Sequence, residues 1–251
     1  MDTLENRTKL VSCDLTVVVP ALNEEGNLSS TLEGLLSELT LSRINAEVVV
    51  FNDGSEDRTG EIAEQFAKAD QRVKVVNHQS PRGIGASFVE ALREARGKYI
   101  TWFPGDGEND PGELLKYWDL LKYVDIIVPF VINKNVRTRI RRIISSLFLL
   151  IINLSFGTSF NYTSGNIIFR TELLRKIRIR ETGFLCSTEM LLRLAKAGAL
   201  YAEVPVCIQP MGRKSGSSKA FSVRSIINTV IGYILLFLDL HLMDKPSKKV
   251  R

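Results

Sequence analysis

The stretch LTVVVPALNEEGNLSSTLEGLLSELTLSRINAEVVVF, residues 15–51, decides the fold. It begins with the apolar run Leu15–Val19 and ends with Glu47–Phe51, each short enough to be a buried strand. Between these runs, leucines recur at positions 28, 32, 35, 36 and 39, which is the spacing of one buried helical face. The stretch therefore predicts a strand–helix–strand unit whose two strands run parallel.

The same alternation continues along the chain. Apolar runs at Val73–Asn77, Tyr99–Phe103 and Asp125–Val128 predict further strands, and apolar positions 88, 89, 92 and 95 predict another helix. The pattern indicates an α/β, Rossmann-like domain with a mostly parallel central sheet. In such sheets the loops after the strands form the ligand crevice, and here these loops are 20–26, 52–59, 79–85 and 104–111.

Composition limits the chemistry. A chain of 251 residues with 45% hydrophobic content can bury one substantial core. The three cysteines are far apart and do not suggest a disulfide framework. With two histidines in the whole chain, a histidine-rich metal site or a Ser/His triad lacks its residues, so any metal must be held by oxygen ligands.

Two apolar runs distinguish the second half. Four arginines within 137–142 precede Ile143–Phe156, and lysines and arginines flank Ile226–Leu242. Neither run clearly reaches the roughly 20 apolar residues of a spanning helix. We expect amphipathic helices that lie on a membrane surface. One is an interfacial helix near 137–157, within a catalytic domain 1–220, and the other is a membrane-associated helix in the segment 221–251. A buried helix of the fold or an oligomer interface remains the alternative.

The net charge of +5 suits an anionic partner. Because the basic residues flank apolar runs and form no stripe with interleaved aromatics, nucleic acid is not the expected partner. The polar N-terminus has no apolar segment typical of a secretory signal, so we expect the active site to face the cytoplasm. Whether the chain forms a homo-oligomer stays open.

The segment Trp102–Pro111, WFPGDGENDP, carries the candidate metal ligands. Asp106, Glu108 and Asp110 alternate after a predicted strand, and glycines at 105 and 107 allow a tight turn. Mg²⁺ and Mn²⁺ prefer such oxygens and share them with substrate phosphates. A solvated acidic turn is the alternative for this segment taken alone.

Four segments together resemble a known family: VVVPALNEE at 17–25, VVFNDGSEDRT at 49–59, RGIGA at 82–86, and the Asp106 loop. In order and spacing they look like the inverting nucleotide-sugar glycosyltransferases that include dolichyl-phosphate mannose synthases and bacterial polyprenyl-phosphate glycosyltransferases. The resemblance implies a glycosyltransferase-A fold, a UDP- or GDP-sugar donor, and a divalent metal, Mg²⁺ or Mn²⁺, on the diphosphate.

The resemblance also implies roles for residues. Asp106 and Glu108 would bind the metal. Two positions depart from the family pattern, because Pro104 replaces the usual first aspartate of the metal loop and Asn52 stands where the family often has aspartate. The nucleotide would contact a set of donor-side residues. For residues 82–83 the alternative is an ordinary surface loop. In the first loop, Asn23 or Asn27 could also cap the following helix, a role that is compatible with nucleotide contact. The set is Pro20, Leu22, Glu24, Asp53, Arg82, Gly83, Arg213 and Lys219.

The second half bears on the acceptor. Arg141 and Ser145 resemble the pair that faces the lipid phosphate in the family, and their i, i+4 spacing puts them on one helix face. Glu189 is the best candidate base for a hydroxyl acceptor, or it simply opens a helix. We therefore expect inverting transfer of a sugar to a polyprenyl phosphate, dolichyl or undecaprenyl. Transfer to a glycan hydroxyl, or a non-catalytic nucleotide- or membrane-binding subunit, are the alternatives.

Overall fold

The computed structural model describes residues 13–183, 185–209 and 223–243. A seven-stranded sheet with the order β3-β2-β1-β4-β6-β5-β7 forms its centre. β6 runs antiparallel to both of its neighbours, and the other pairs are parallel. The α/β class and the mostly parallel sheet predicted from the sequence are confirmed. The strands are β1 Leu15–Ala21, β2 Ala46–Asn52, β3 Val73–Asn77, β4 Tyr99–Trp102, β5 Ile126–Val131, β6 Ile168–Arg170 and β7 Tyr201–Val206.

Helices cover both faces of this sheet. On one face, α1 contributes Leu28, Leu32 and Leu35, all fully buried, as the leucine spacing predicts. On the other face, α3 and α7 form a second core cluster with buried residues such as Phe88 and Met190. The helices are α1 Leu28–Leu41, α2 Thr59–Ala69, α3 Ile84–Glu94, α4 Pro111–Leu115, α5 Arg139–Phe156, α6 Thr171–Lys176, α7 Cys186–Lys196 and α8 Val223–Leu238.

Strand β5 is longer than the sequence predicts. The predicted strand stops at Val128 because proline lacks the N–H that a central strand needs. In the structure β6 pairs with β5 only at Ile126 and Ile127, whereas β7 pairs along the whole strand as far as Val131. Beyond Ile127 the strand is paired on one side, so Pro129 is tolerated there as it is at a sheet edge.

The described part of the C-terminal segment packs against the rest of the chain. Leu236 and Leu240 are buried, and the Tyr233 hydroxyl lies 2.6 Å from Ser155 Oγ on α5. A π-helical turn, Asp239–Met243, follows α8, and the buried Asp239 pairs with Arg193 of α7. Asp239, whose charge would be costly inside a bilayer, thus has a buried ionic partner.

Helices α5 and α8 also expose many apolar side chains. Within the described residues, no helix is both long and apolar enough to cross a bilayer. The side chains that are at least two-fifths exposed on these two helices are Ile140, Ile143, Ile144, Leu147, Leu150, Ile151, Leu154, Val230, Ile231, Ile234, Leu235 and Leu238.

Candidate active site

A cavity of about 1020 Å³ opens at the carboxyl ends of β1 and β4. Its walls come from the β1 loop 20–27, most of the β4 loop 102–110, residues just before and within the first turn of α5, and Cys207 and Ile208 after β7. This is the crevice position that the order of strands and helices predicts for an open α/β sheet. The volume is at the upper end of the range for small-molecule sites, roughly 300–1,000 Å³.

The loops after β1 and β2 are held together by hydrogen bonds. Glu24 N donates to Thr59 Oγ1 at 2.8 Å, and Glu25 N donates to Asp57 Oδ2 at 3.1 Å. Pro20, Leu22 and Glu24 line the cavity, as the sequence comparison implies. These bonds fix the wall on which a nucleoside would lie.

The predicted cap of α1 by an asparagine side chain is wrong. Asn27 occupies the cap position, but its Nδ2 donates to Glu24 Oε2 at 2.9 Å. Asn23 Oδ1 accepts from Glu56 N at 2.9 Å and so ties the β1 loop to the β2 loop. The Asn23 oxygen is therefore engaged by the neighbouring loop, and Asn27 orients Glu24 within its own loop.

Asp53 is the most tightly held of the predicted donor residues. It is buried, and its carboxylate accepts from His78 Nδ1 at 2.7 Å, Arg82 N at 2.9 Å and Gly83 N at 2.8 Å. Burial alone would raise the pKa of Asp53, but the hydrogen bonds from His78 and the two backbone amides outweigh it and lower the pKa. Asp53 therefore faces the cavity as an anion.

The 82–83 turn reaches the cavity by only one of its two residues. Gly83 lines it, with a φ of 93° that favours glycine. The Arg82 side chain does not line the cavity, because its Nη1 donates to Glu90 Oε2 at 2.9 Å. His78 Nε2 lies 3.4 Å from the same Glu90 oxygen, so this buried histidine sits between two carboxylates.

The β4 loop presents two of its three acidic residues to a ligand. Asp106 and Glu108 both line the cavity, and Glu108 N donates to Asp106 Oδ1 at 3.1 Å. Asp110 also borders it, but its Oδ1 accepts from Gly112 N at 2.9 Å and caps α4. Gly107 has a φ of 71°, which lets the loop turn sharply between the two candidate ligands.

The donor set fits a hard divalent cation shared with a substrate. Among the described residues, no group of three or more His, Cys, Asp or Glu side chains could hold a metal by itself. Mg²⁺ in phosphate-transfer sites is commonly held by one or two carboxylates, with the remaining positions filled by water and substrate phosphates. Asp106 and Glu108 supply such a pair at the surface of the cavity.

Two arginines at the start of α5 also line the cavity. Arg141 lines the cavity, and its Nη2 lies 3.6 Å from Glu108 Oε2. Arg137 also lines it, donates from Nη1 to the Tyr162 hydroxyl at 3.3 Å, and has a buried Nε without a hydrogen-bond partner in the described part of the chain. Ser145 is half-buried one turn further along α5 and does not line the cavity.

Sequence reasoning missed Arg137 as a site residue. Arg137 precedes α5 and has an extended backbone, so no helical spacing connects it to Arg141. The one signal for it in the sequence is its place in the cluster of four arginines within 137–142. Arg213 and Lys219 lie outside the described residues. The last described residue before them, Gln209, donates its N–H to Glu108 O at 3.1 Å.

Glu189 is fully buried and does not line the cavity. Its Oε2 accepts from Arg180 N at 3.0 Å and Glu181 N at 2.7 Å, and its Oε1 accepts from Arg193 Nε at 2.8 Å. The residue lies in the first turn of α7, as the alternative interpretation expects. Its carboxylate holds the segment that leads to Gly183, which does line the cavity.

Comparison with known proteins agrees with this geometry. Residues 16–178 match the glycosyl transferase family 2 domain. The chain is 33% identical over 211 residues to the dolichyl-phosphate hexose transferase of Haloferax volcanii, which covers 82% of this chain and 86% of that protein. It is 39% identical over 92 residues to the uncharacterized glycosyltransferase EpsJ of Bacillus subtilis; that match covers 37% of this chain and 26% of EpsJ.

A solved structure has the same fold. Glucosyl-3-phosphoglycerate synthase from Mycobacterium tuberculosis, in complex with Mn²⁺, UDP and glucosyl-3-phosphoglycerate, superposes with a TM-score of 0.65 and 17% identity over 90% of this chain and 79% of that chain. At this identity the likeness establishes the glycosyltransferase-A fold. With the matched domain and a candidate donor site at the ends of the parallel strands, the chain belongs to glycosyl transferase family 2 and is a glycosyltransferase.

Proposed function

We propose that this enzyme transfers a sugar from a nucleotide-sugar donor to a polyprenyl phosphate, with inversion at the anomeric carbon. One observation carries the choice of acceptor: Arg137 and Arg141 line the same cavity as Asp106 and Glu108, whereas Glu189 is buried away from it. Two guanidinium groups suit a phosphate monoester. A hydroxyl acceptor would need a base, and the candidate base is already occupied.

The donor half of the cavity would bind the nucleotide along the β1 loop. Pro20 and Leu22 offer apolar contact to the base, and Glu24 and Asp53 offer carboxylate acceptors to ribose or base donors. Gly83 lines the cavity, and its N–H donates to Asp53 Oδ2 and so holds that carboxylate in place. For Arg82 the contribution is its backbone position, since its side chain pairs with Glu90. Arg213 and Lys219 remain candidates for diphosphate contact.

Asp106 and Glu108 would hold a divalent cation, Mg²⁺ or Mn²⁺, which offsets the negative charge that develops on the departing diphosphate. The acceptor phosphate is already ionised near neutral pH, so its oxygen can attack without a general base. Attack comes from the side opposite the nucleotide. The new bond forms between the anomeric carbon and the acceptor oxygen, while the bond to the donor diphosphate breaks. Arg141 and Arg137 orient the acceptor for this approach, with Ser145 one turn behind.

The acceptor class has independent support. The relative from Haloferax volcanii, matched over most of both chains, is named a dolichyl-phosphate hexose transferase. The exposed apolar side chains of α5 and α8 suit a surface that rests on a bilayer, where a polyprenyl chain would be held. We propose that these helices attach the enzyme to the cytoplasmic face of a membrane with the cavity open to the cytoplasm.

Product analysis tests the function directly. The enzyme is incubated with Mn²⁺, undecaprenyl or dolichyl phosphate and a panel of UDP- and GDP-sugars, and lipid products are identified by mass spectrometry. We expect one donor to give a polyprenyl-phosphate sugar, and NMR of that product to show the anomeric configuration opposite to the donor's. Transfer to a glycan hydroxyl at full rate, with polyprenyl phosphate ignored, would refute the proposal.

Kinetics of Arg141→Ala identify the acceptor side. A charge-assisted hydrogen bond to phosphate contributes about 1.5–3 kcal/mol, so kcat/KM for polyprenyl phosphate should fall roughly ten- to a hundredfold. The matched control is Arg139→Ala, which removes the same charge from the exposed side of the same helix turn and should change little. A defect confined to the KM of the donor would instead assign Arg141 to the diphosphate site.

A further inference from the structure

An ion pair joins α5 to the β4 loop. Arg141 Nη2 and Glu108 Oε2 are 3.6 Å apart, with side chains that are 25% and 11% exposed. This separation exceeds the roughly 2.7–2.9 Å of a charge-assisted hydrogen bond, so the two groups interact through charge. Both side chains line the cavity.

The proposed function makes opposite demands on these two groups. Glu108 is to hold a cation, and Arg141 is to hold a phosphate. A carboxylate that faces a guanidinium attracts a second cation less strongly, and the guanidinium in turn attracts an anion less strongly. Glu108 therefore weakens phosphate binding at Arg141, and Arg141 weakens cation binding at Glu108, until one of the two side chains changes partner.

The surroundings favour a change of side-chain partner over a movement of the backbone. Glu108 is held through its main chain, because its N–H donates to Asp106 Oδ1 at 3.1 Å and its carbonyl accepts from Gln209 N at 3.1 Å. Arg141 N is held by Thr138 Oγ1 at 3.3 Å in the first turn of α5. Long side chains on fixed backbones can exchange partners within the same cavity.

From this geometry we propose that the Arg141 guanidinium is a stand-in for the cation at Glu108 until metal and nucleotide bind. When they bind, the cation replaces Arg141 as the partner of the Glu108 carboxylate, and Arg141 is then free to contact the acceptor phosphate. Metal and donor therefore bind before the lipid phosphate, which keeps the acceptor site weak while no sugar is present. The acceptor half of this proposal rests on the proposed function, whereas the exchange at Glu108 does not.

Metal binding tests the exchange without an activity assay. Mn²⁺ is titrated by calorimetry into the full chain saturated with UDP, or with GDP if UDP does not bind. Arg141→Ala should bind Mn²⁺ about three- to tenfold more tightly than the wild type, the range for a partly exposed ion pair. Arg139→Ala, the charge-matched control, should stay within about twofold. Unchanged or weaker Mn²⁺ binding by Arg141→Ala would overturn the proposal.

A soluble prenyl monophosphate, farnesyl phosphate, tests the release of Arg141. Metal-free wild type should bind it several-fold more weakly than the same protein with Mn²⁺ and UDP, and metal-free Glu108→Gln should already bind it at the higher level. Equal binding by wild type with and without Mn²⁺ and UDP would count against the exchange. If no form binds farnesyl phosphate while Arg141→Ala still tightens Mn²⁺, the exchange at Glu108 stands and the lipid-phosphate function fails.

Discussion

The Glu189→Gln substitution separates a structural carboxylate from a catalytic base. Glu189 is fully buried, and its carboxylate accepts hydrogen bonds from two backbone amides and the Arg193 guanidinium. Glutamine keeps one oxygen for these donors but loses the charge, and its amide N–H₂ group competes for the space beside Arg193. The substitution should therefore act on folding stability and leave the chemistry intact.

The size of the effect follows from the partners that remain. Breaking a buried ion pair by removing one member costs about 3–5 kcal/mol, because the other charge stays buried. Here Arg193 keeps the carboxylate of Asp239, so we expect about 2–4 kcal/mol less free energy of unfolding. Urea unfolding followed by circular dichroism measures this loss, and kcat on the folded variant should stay within about threefold of the wild type.

Asp239→Asn is the matched control, since it removes the other carboxylate of Arg193 from the C-terminal segment, away from the cavity. It should lower stability by a similar amount without changing kcat. A general base contributes about 10²–10⁴ in rate. If Glu189→Gln lowered kcat by that factor while its unfolding free energy matched the wild type, Glu189 would be the base of a hydroxyl-directed transferase and our reasoning would be refuted.

Three further predictions follow from the site and surface. Asp106→Asn should lower turnover more than about a hundredfold while the circular dichroism spectrum is kept; near-normal metal-dependent turnover would contradict its role as a metal ligand. The pKa of Asp53 is lower in the folded protein than in the unfolded chain, so its ionised carboxylate stabilises the fold fully above about pH 5, and this contribution is lost as the pH falls. The difference in unfolding free energy between wild type and Asp53→Asn should therefore narrow from pH 6 to pH 3. Leu147→Ser with Leu154→Ser should reduce co-sedimentation with anionic vesicles several-fold, whereas Leu41→Ser, at a leucine of α1 that is as exposed as Leu154, should not; equal loss in both would exclude α5 as the attachment surface.

Local patterns were sufficient for the first half of the fold. The period of the leucines in α1 and the apolar runs of β1 and β2 report burial directly, and these elements pack as neighbours along the chain. The candidate donor loops follow from the same patterns, because parallel strands gather their carboxyl ends on one edge. The positions of Glu24 and Asp53 at the cavity are thus consequences of topology.

The elements that sequence patterns did not predict depend on distant partners. Strand β6 has three residues, Ile168–Arg170, and exists because it fills the gap between β4 and β5 in the antiparallel sense. Strand β7 pairs with β5 across 75 positions of sequence, as in Ile126 with Tyr201. Strands that form through such distant pairings show little periodicity in their own sequence from which they could be predicted. The Glu189–Arg193 pair has the i, i+4 spacing of a helix, but the backbone amides of Arg180 and Glu181 that complete the burial of Glu189 lie outside α7, and no sequence pattern connects them to it.

Pro104 changes how the metal site must work. It lines the cavity where the family resemblance implies an aspartate, and we call the two candidate ligands Asp106 and Glu108, together with Arg141 3.6 Å from Glu108, the metal wall. Their formal charges sum to −1, because two carboxylates are offset by one guanidinium. A cation gains less from such a wall than from one with a further carboxylate, and the diphosphate must supply the missing charge.

Metal binding should therefore depend strongly on the nucleotide, and Pro104→Asp should weaken that dependence. The added carboxylate would give the wall a formal charge of −2 and let Mn²⁺ bind before the diphosphate arrives. Calorimetric titration of Mn²⁺ with and without UDP measures the coupling as a ratio of two dissociation constants. We expect this ratio to fall several-fold in Pro104→Asp, with Pro104→Ala as the control for the loss of the proline ring. An equal ratio in wild type and Pro104→Asp would mean that the charge of the wall does not set the order of binding, and that the diphosphate recruits the metal by geometry alone.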